Sequence, residues 1–149
     1  MIATFCGHRE VYAKGVYEKV LEFVKDLVIN KGVDTFYSGN MGEFDKLCEK
    51  AVRALKREHD IKLYWVAPYL TSEMNKEKSE FERLYDGIII PDFGDAHYKA
   101  VILKRNFWMV DKSEYVISYV YREFGGAYKT LKYAQKTGKS ILSADVYET

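Results

Sequence analysis

The chain predicts an α/β domain of three layers, doubly wound, with a mainly parallel sheet of about five to six strands flanked by helices. Short apolar runs alternate with stretches of three- and four-residue periodicity, the pattern of successive βαβ units. Runs such as Ile88-Ile89-Ile90 lack polar alternation, which predicts strands covered on both faces. At 149 residues the chain is near the size of one domain, large enough to bury roughly 68–70% of its unfolded surface. It carries no internal repeat, low-complexity tract or proline-rich linker, so residues 1–149 read as a single domain.

The first strand is expected at Ile2 to Cys6. A helix follows in which Tyr17, Val20, Leu21, Val24, Leu27 and Val28 share one stripe, and Gly32 supplies its stop. Thr35 to Ser38 is the second strand. It runs through Gly39-Asn40-Met41-Gly42 into a helix with an apolar face of Phe44, Leu47, Cys48, Ala51, Val52 and Leu55. Leu63 to Ala67, closed by Pro68, is a third strand, and the charged stretch from Met74 to Arg83 reads as an exposed connecting helix or loop. Gly87 to Ile90, Tyr115 to Val120 and Ser140 to Ala144 complete the strands.

Charge and cysteine content narrow the function. Twenty-three basic and 22 acidic residues leave a net charge of +1, without the basic excess on which nucleic-acid binding by counterion release depends. A nucleic-acid partner is therefore not expected. Cys6 and Cys48 fall at a strand end and on an apolar helix face, where a thiol acts as a small hydrophobe. With no leader-like segment and no apolar run of about 18 residues, the expected location is the cytoplasm. The three His and two Cys are scattered without zinc-ligand spacing, so no metal is expected.

In open α/β sheets the ligand crevice lies outside the carboxyl ends of the strands, where strand order reverses. The loops to inspect are Gly7-His8-Arg9, Ser38 to Gly42, Pro91 to Asp95 and Glu123 to Gly126. Gly39-x-x-Gly42 and Gly125-Gly126 each open a helix. A glycine turn lets the backbone approach a ligand, and the helix start offers unpaired N–H groups to an anion; glycine at such turns also occurs for geometry alone. Arg105 interrupts an apolar stripe of Tyr98, Val101, Ile102 and Met109. It either clamps a phosphate bidentately or pairs with a carboxylate such as Asp92 or Asp111. Arg9 suits an anion contact or a solvated charge, and His8 a ligand contact or a helix cap. Ser38 can donate to a phosphate or cap the turn. Asp45 can accept a ribose hydroxyl, or simply favour the dipole of its helix by about 0.3–1 kcal/mol. Tyr69, Phe93, Tyr98 and Tyr128 lie in or beside these loops, where a ring can stack on a base. Cys6 near His8 is a weak nucleophile and base pairing, since no orienting acid is evident.

Taken in order, Thr4-Phe5-Cys6-Gly7-His8-Arg9, Ser38-Gly39-Asn40-Met41-Gly42-Glu43-Phe44-Asp45, Arg105-Asn106 with Met109-Val110-Asp111 and Ser113, and Gly125-Gly126 resemble the SLOG superfamily of Rossmann-like proteins, within it the YpsA-like branch. The resemblance covers nearly the whole chain. It implies binding of a nucleotide or nucleotide-derived, phosphate-bearing ligand by Gly7, His8, Arg9, Ser38, Gly39, Asn40, Gly42, Asp45, Arg105, Asn106, Gly125 and Gly126, with no further cofactor required and a homo-oligomer as a possible partner. The related LOG enzymes cleave the N-glycosidic bond of nucleoside monophosphates with a Gly-Gly-x-Gly-Thr-x-x-Glu motif and an upstream Arg. Arg105 matches that Arg, but Ala127-Tyr128-Lys129-Thr130 follows the glycine pair and Lys132 or Tyr133 stands where the Glu would be. Neither can serve as a carboxylate base, so binding or sensing is the leading expectation and nucleotide hydrolysis the alternative.

Overall fold

A computed structural model describes residues 1–145. Six strands, β1 (Ile2–Gly7), β2 (Thr35–Ser38), β3 (Lys62–Val66), β4 (Gly87–Ile89), β5 (Tyr115–Tyr119) and β6 (Ser140–Ser143), form one all-parallel sheet in the order β4-β3-β2-β1-β5-β6. Six helices cover it: α1 (Val16–Asn30), α2 (Glu43–Lys56), α3 (Ser72–Lys76), α4 (Lys78–Leu84), α5 (Tyr98–Lys112) and α6 (Gly126–Lys136). This is the doubly wound α/β architecture expected of the sequence. The chain winds outward from β1 to β4, then returns to β5 on the other side of β1, so the reversal lies between β1 and β5.

Alternation along each strand divides the core. Ala3 and Phe5 of β1 point with Ile117 and Tyr119 of β5 into the larger cluster, which Val20, Val24 and Leu27 of α1 and Phe44, Cys48 and Val52 of α2 complete. Cys6 and Val116 face the opposite side, under Val110 of α5 and Ala134 of α6. The charged segment near residue 78 folds as α3 and α4. There Phe81 of α4 packs at 5.1 Å between ring centroids on Trp65 of β3.

One sequence expectation is overturned. The Ile88-Ile89-Ile90 run is not covered on both faces: Ile88 is 36% and Ile90 38% exposed, because β4 is the edge strand, bonded only to β3. Strand ends shift by a residue, as β4 stops at Ile89, β5 at Tyr119 and β6 at Ser143.

Candidate functional site

The ends of β1 and β5 open into a cleft of about 330 Å³, within the usual size range of ligand pockets. Gly7 and His8 come from the end of β1, Met41 and Asp45 from the start of α2, Arg105 and Asn106 from α5, and Gly125 and Gly126 from the start of α6. Arg9, Glu10, Arg122 and Phe124 also line it.

Arg105 is the largest fully buried side chain, 1% exposed. Its Nη1 donates to the carbonyls of Val66 (2.9 Å) and Gly39 (3.1 Å), and its Nε to Asn106 Oδ1 (2.9 Å). Neither Asp92 nor Asp111 is its partner: Asp92 accepts from Gly94 N–H and Asp111 from the Tyr133 hydroxyl. The acceptors of Nη1 are backbone oxygens at the ends of β2 and β3, which the stripe on α5 could not reveal. Burial lowers the guanidinium from its usual pKa, with Asp45 opposing the shift. Its Nη2 faces only the Met41 sulfur, at 3.9 Å, and Arg9 Nη2 reaches the same atom at 3.4 Å. Two cationic groups thus converge on one weak acceptor, and the Nη2 protons of Arg105 are the ones its backbone partners leave unspent.

The two glycine helix starts, equivalent in sequence, are not equivalent in space. Gly42 begins α2 at φ +98°, and a Cβ there would lie 2.5 Å from Arg9 Cα. Glu43 N–H already donates to the Arg9 carbonyl (2.8 Å), so the loop after β1 covers this helix end. Gly125, at φ +91°, begins α6 without a side-chain cap, and a Cβ on Gly125 or Gly126 would meet nothing within 4 Å. The α6 start presents open N–H groups to the cleft, at the end of the helix that carries partial positive charge.

Ser38, Gly39, Asn40 and Gly42 do not line the cleft. Ser38 is buried, donates from its hydroxyl to Glu49 Oε2 (2.6 Å) and accepts from Asn40 N–H (3.1 Å). Gly39 contributes its carbonyl to Arg105, and Asn40 points into a different cavity. The loop after β4 is also remote, since β4 lies at the sheet edge. None of Tyr69, Phe93, Tyr98 and Tyr128 lines the cleft, whereas Phe124, 65% exposed, does. Phe124 belongs to the Glu123 to Gly126 loop and Arg122 lies just before it, but no spacing singled them out.

His8 holds that loop. Its Nε2 accepts from the backbone N–H of Tyr121 (3.1 Å) and Arg122 (3.3 Å), and its Nδ1 lies 3.4 Å from Arg122 Nη2. Burial and the Arg122 charge lower its pKa. Cys6 donates to the Ala127 carbonyl (3.1 Å), and burial with the Asp45 charge raises its thiol to about 12. A thiolate nucleophile is therefore disfavoured there.

Asp45 is buried, with Oδ2 accepting from Met41 N–H (2.9 Å). Burial, reinforced by Glu49, raises its carboxyl from 3.8 to about 7 against the pull of Met41 N–H and Arg105. Because the folded pKa is the higher one, the folded state keeps a proton that the unfolded chain has lost. The stability this confers is complete below 3.8 and is lost as pH rises to about 7. Urea midpoints measured across that window should fall with rising pH in the wild type and fall less in Asp45→Asn. Equal slopes would remove Asp45 as their source.

No protein-family model matches the chain, and no curated protein matches it in sequence. Solved structures do match its fold. DNA processing protein A from Helicobacter pylori, described for its single-stranded DNA binding mode, superposes with a TM-score of 0.65 at 19% identity, over 96% of this chain and 64% of that one. DNA processing protein A from Streptococcus pneumoniae gives 0.65 at 14% identity, over 95% of this chain and 49% of that one. The molybdenum cofactor carrier protein of Chlamydomonas reinhardtii gives 0.60 at 13% identity, over 95% and 74%. The chain thus spans 64% and 49% of the DNA-processing proteins it matches. A likeness at 13–19% identity shows the fold alone, a Rossmann-like α/β domain.

Proposed function

We propose that this SLOG-type, Rossmann-like domain binds a nucleotide or nucleotide-derived molecule, with its phosphate at the start of α6 and facing Arg105. The observation that carries the reading is the uncapped α6 N-terminus opening onto the same cleft as a buried guanidinium with unspent donors. Helix N-H groups and a buried Arg favour phosphate for the same reason: both hold positive charge in place without water. Arg9 and Arg122 add charge at the rim, Phe124 offers an exposed ring for a base, and Asp45 is within the cleft to accept a ribose hydroxyl. One neighbour in fold is a cofactor carrier, which fits binding without turnover.

Hydrolysis of the ligand's glycosidic or phosphate bond is the second reading, favoured by one observation. Asp45 is a buried cleft carboxyl raised to about 7, suited to proton transfer near neutrality. Lys132 and Tyr133, which occupy the position of the LOG glutamate, do not line the cleft.

A thermal-shift series with nucleotides, dinucleotides, cyclic nucleotides and ADP-ribose tests the binding reading. A ligand at 100 times its Kd stabilises by about 2.7 kcal/mol. One class should raise the Tm of the wild type but not of Gly126→Val, whose side chain enters open space in the cleft rather than protein. No shift with any compound, or an equal shift in Gly126→Val, would refute the assignment. Product formation that disappears in Asp45→Asn would establish the second reading. Salt-dependent retardation of single-stranded DNA, with no nucleotide shift, would replace both with DNA binding.

A further inference from the structure

Met41 stands where the cationic groups of the cleft meet. Asn40, at φ +51°, turns the chain out of β2, and the Met41 N–H is held by Asp45 Oδ2 (2.9 Å), so the residue is anchored at its backbone. Its side chain is part-buried and lines the cleft. Arg9 Nη2 lies 3.4 Å and Arg105 Nη2 3.9 Å from the sulfur, so guanidinium groups from the β1 loop and from α5 aim at one thioether. A thioether is a weak acceptor. It satisfies neither cation, and its side chain, with three rotatable bonds, gives way readily to a phosphate oxygen that reaches the same donors.

The other sulfurs of the chain are placed differently. Cys6 and Cys48 are 4% and 0% exposed, and burial raises both thiols, which keeps them from the reactive thiolate form. Met74 and Met109 are 7% and 3% exposed, and the Met109 sulfur accepts from the Thr4 hydroxyl (3.6 Å). Met1 is exposed, but it precedes β1 and so lies at the opposite edge of the sheet from the cleft.

We propose that Met41 is a modification site, oxidised to the sulfoxide by hydrogen peroxide entering the cleft, and that the sulfoxide closes the phosphate site. A sulfur lone pair attacks one peroxide oxygen, forming the S–O bond as the O–O bond breaks. The departing hydroxide takes the proton of the attacked oxygen and leaves as water; sulfur loses two electrons and the peroxide gains them. Arg9 and Arg105 assist, because their N–H groups stabilise the charge that develops on the departing oxygen. The product sets a strong acceptor between the two guanidinium groups, whose donors are then spent on it rather than on a phosphate. The oxidation rests on the surroundings of the sulfur alone, whereas its effect on binding rests on the phosphate reading of the cleft.

Peptide mass spectrometry after graded hydrogen peroxide tests the chemistry. Met41 should gain oxygen ahead of Met74 and Met109, and should do so several-fold more slowly in Arg9→Ala, although that substitution bares the sulfur. Isothermal titration with inorganic phosphate tests the consequence. Oxidation should weaken phosphate binding about ten- to a hundredfold in the wild type and should not change the affinity of Met41→Leu. Met41→Gln, with an amide oxygen in place of the sulfoxide oxygen, should bind weakly before any oxidant is added. Oxidation of Met41 no faster than of Met74 and Met109, an equal or higher rate in Arg9→Ala, the same phosphate affinity before and after oxidation, or an equal loss in Met41→Leu would each overturn the proposal. If the unoxidised wild type binds no phosphate, the phosphate reading of the cleft fails instead, and the rate comparison with Arg9→Ala still decides the modification site.

Discussion

Gly42→Ala is expected to destabilise the protein by about 2–5 kcal/mol, while Gly126→Ala leaves its stability unchanged or slightly raised. The two positions look alike in sequence, each the last glycine of a glycine turn before a helix. At Gly42 the backbone stands at φ +98°, where a side chain is strained, and the added methyl would sit 2.5 Å from Arg9 Cα. Backbone cannot move aside as a flexible side chain can, so either the loop after β1 is displaced or α2 loses its first turn. Displacing that loop also breaks the Glu43 N–H bond to the Arg9 carbonyl. Gly126 is in the helix proper, has no positive φ and has open space at its Cβ, so alanine there gains helix propensity without a clash. For a chain of this size the Gly42 effect is a fall in Tm on the order of 10 °C. Thermal unfolding of the two variants side by side checks this; equal Tm values would mean that the Arg9 loop yields freely and does not seal the α2 end.

That contrast marks where the sequence stops being legible. Strands, helices and the crevice loops are encoded locally, in alternation, periodicity and glycine turns, and so the architecture could be read directly. Arg105 was legible as well, because a charge on an apolar stripe is a local anomaly. Its partners were not: the Val66 and Gly39 carbonyls are 39 and 66 residues away in sequence. Likewise, which glycine turn remains open depends on the Arg9 loop lying across the other, and the exposure of β4 depends on its place at the edge. Ser38 was singled out for a ligand because it ends a strand in a glycine loop, yet its hydroxyl is committed to Glu49 one helix away. Phe124 and Arg122 carried no pattern at all; only their position beside an open helix start gives them meaning.

Arg105→Ala is expected to cost about 3–5 kcal/mol of stability and to weaken phosphate binding about ten- to a hundredfold, and a second substitution separates the two effects. The side chain is 1% exposed, so truncation opens a void and leaves the Val66 and Gly39 carbonyls and Asn106 Oδ1 without their donor. Loss of binding in that variant could then follow from a loosened fold alone. Arg105→Met refills most of the volume with an unbranched, adaptable chain while still removing every donor. It should recover part of the stability and none of the lost affinity, since the ligand depends on Nη2 and the fold on Nη1 and Nε. Losing a charge-assisted contact of this kind costs roughly 1.5–3 kcal/mol, or about ten- to a hundredfold in affinity. Arg105→Lys is the sharper case, because it restores the charge without the planar fork. One ammonium cannot serve two carbonyls and a phosphate in the same directions, so lysine should improve folding over alanine yet bind far more weakly than arginine. Denaturant midpoints together with ligand titrations on the three variants decide it. Binding that tracks stability across the series would make Arg105 a purely structural residue, whereas binding lost in a well-folded Arg105→Met would place the guanidinium on the ligand.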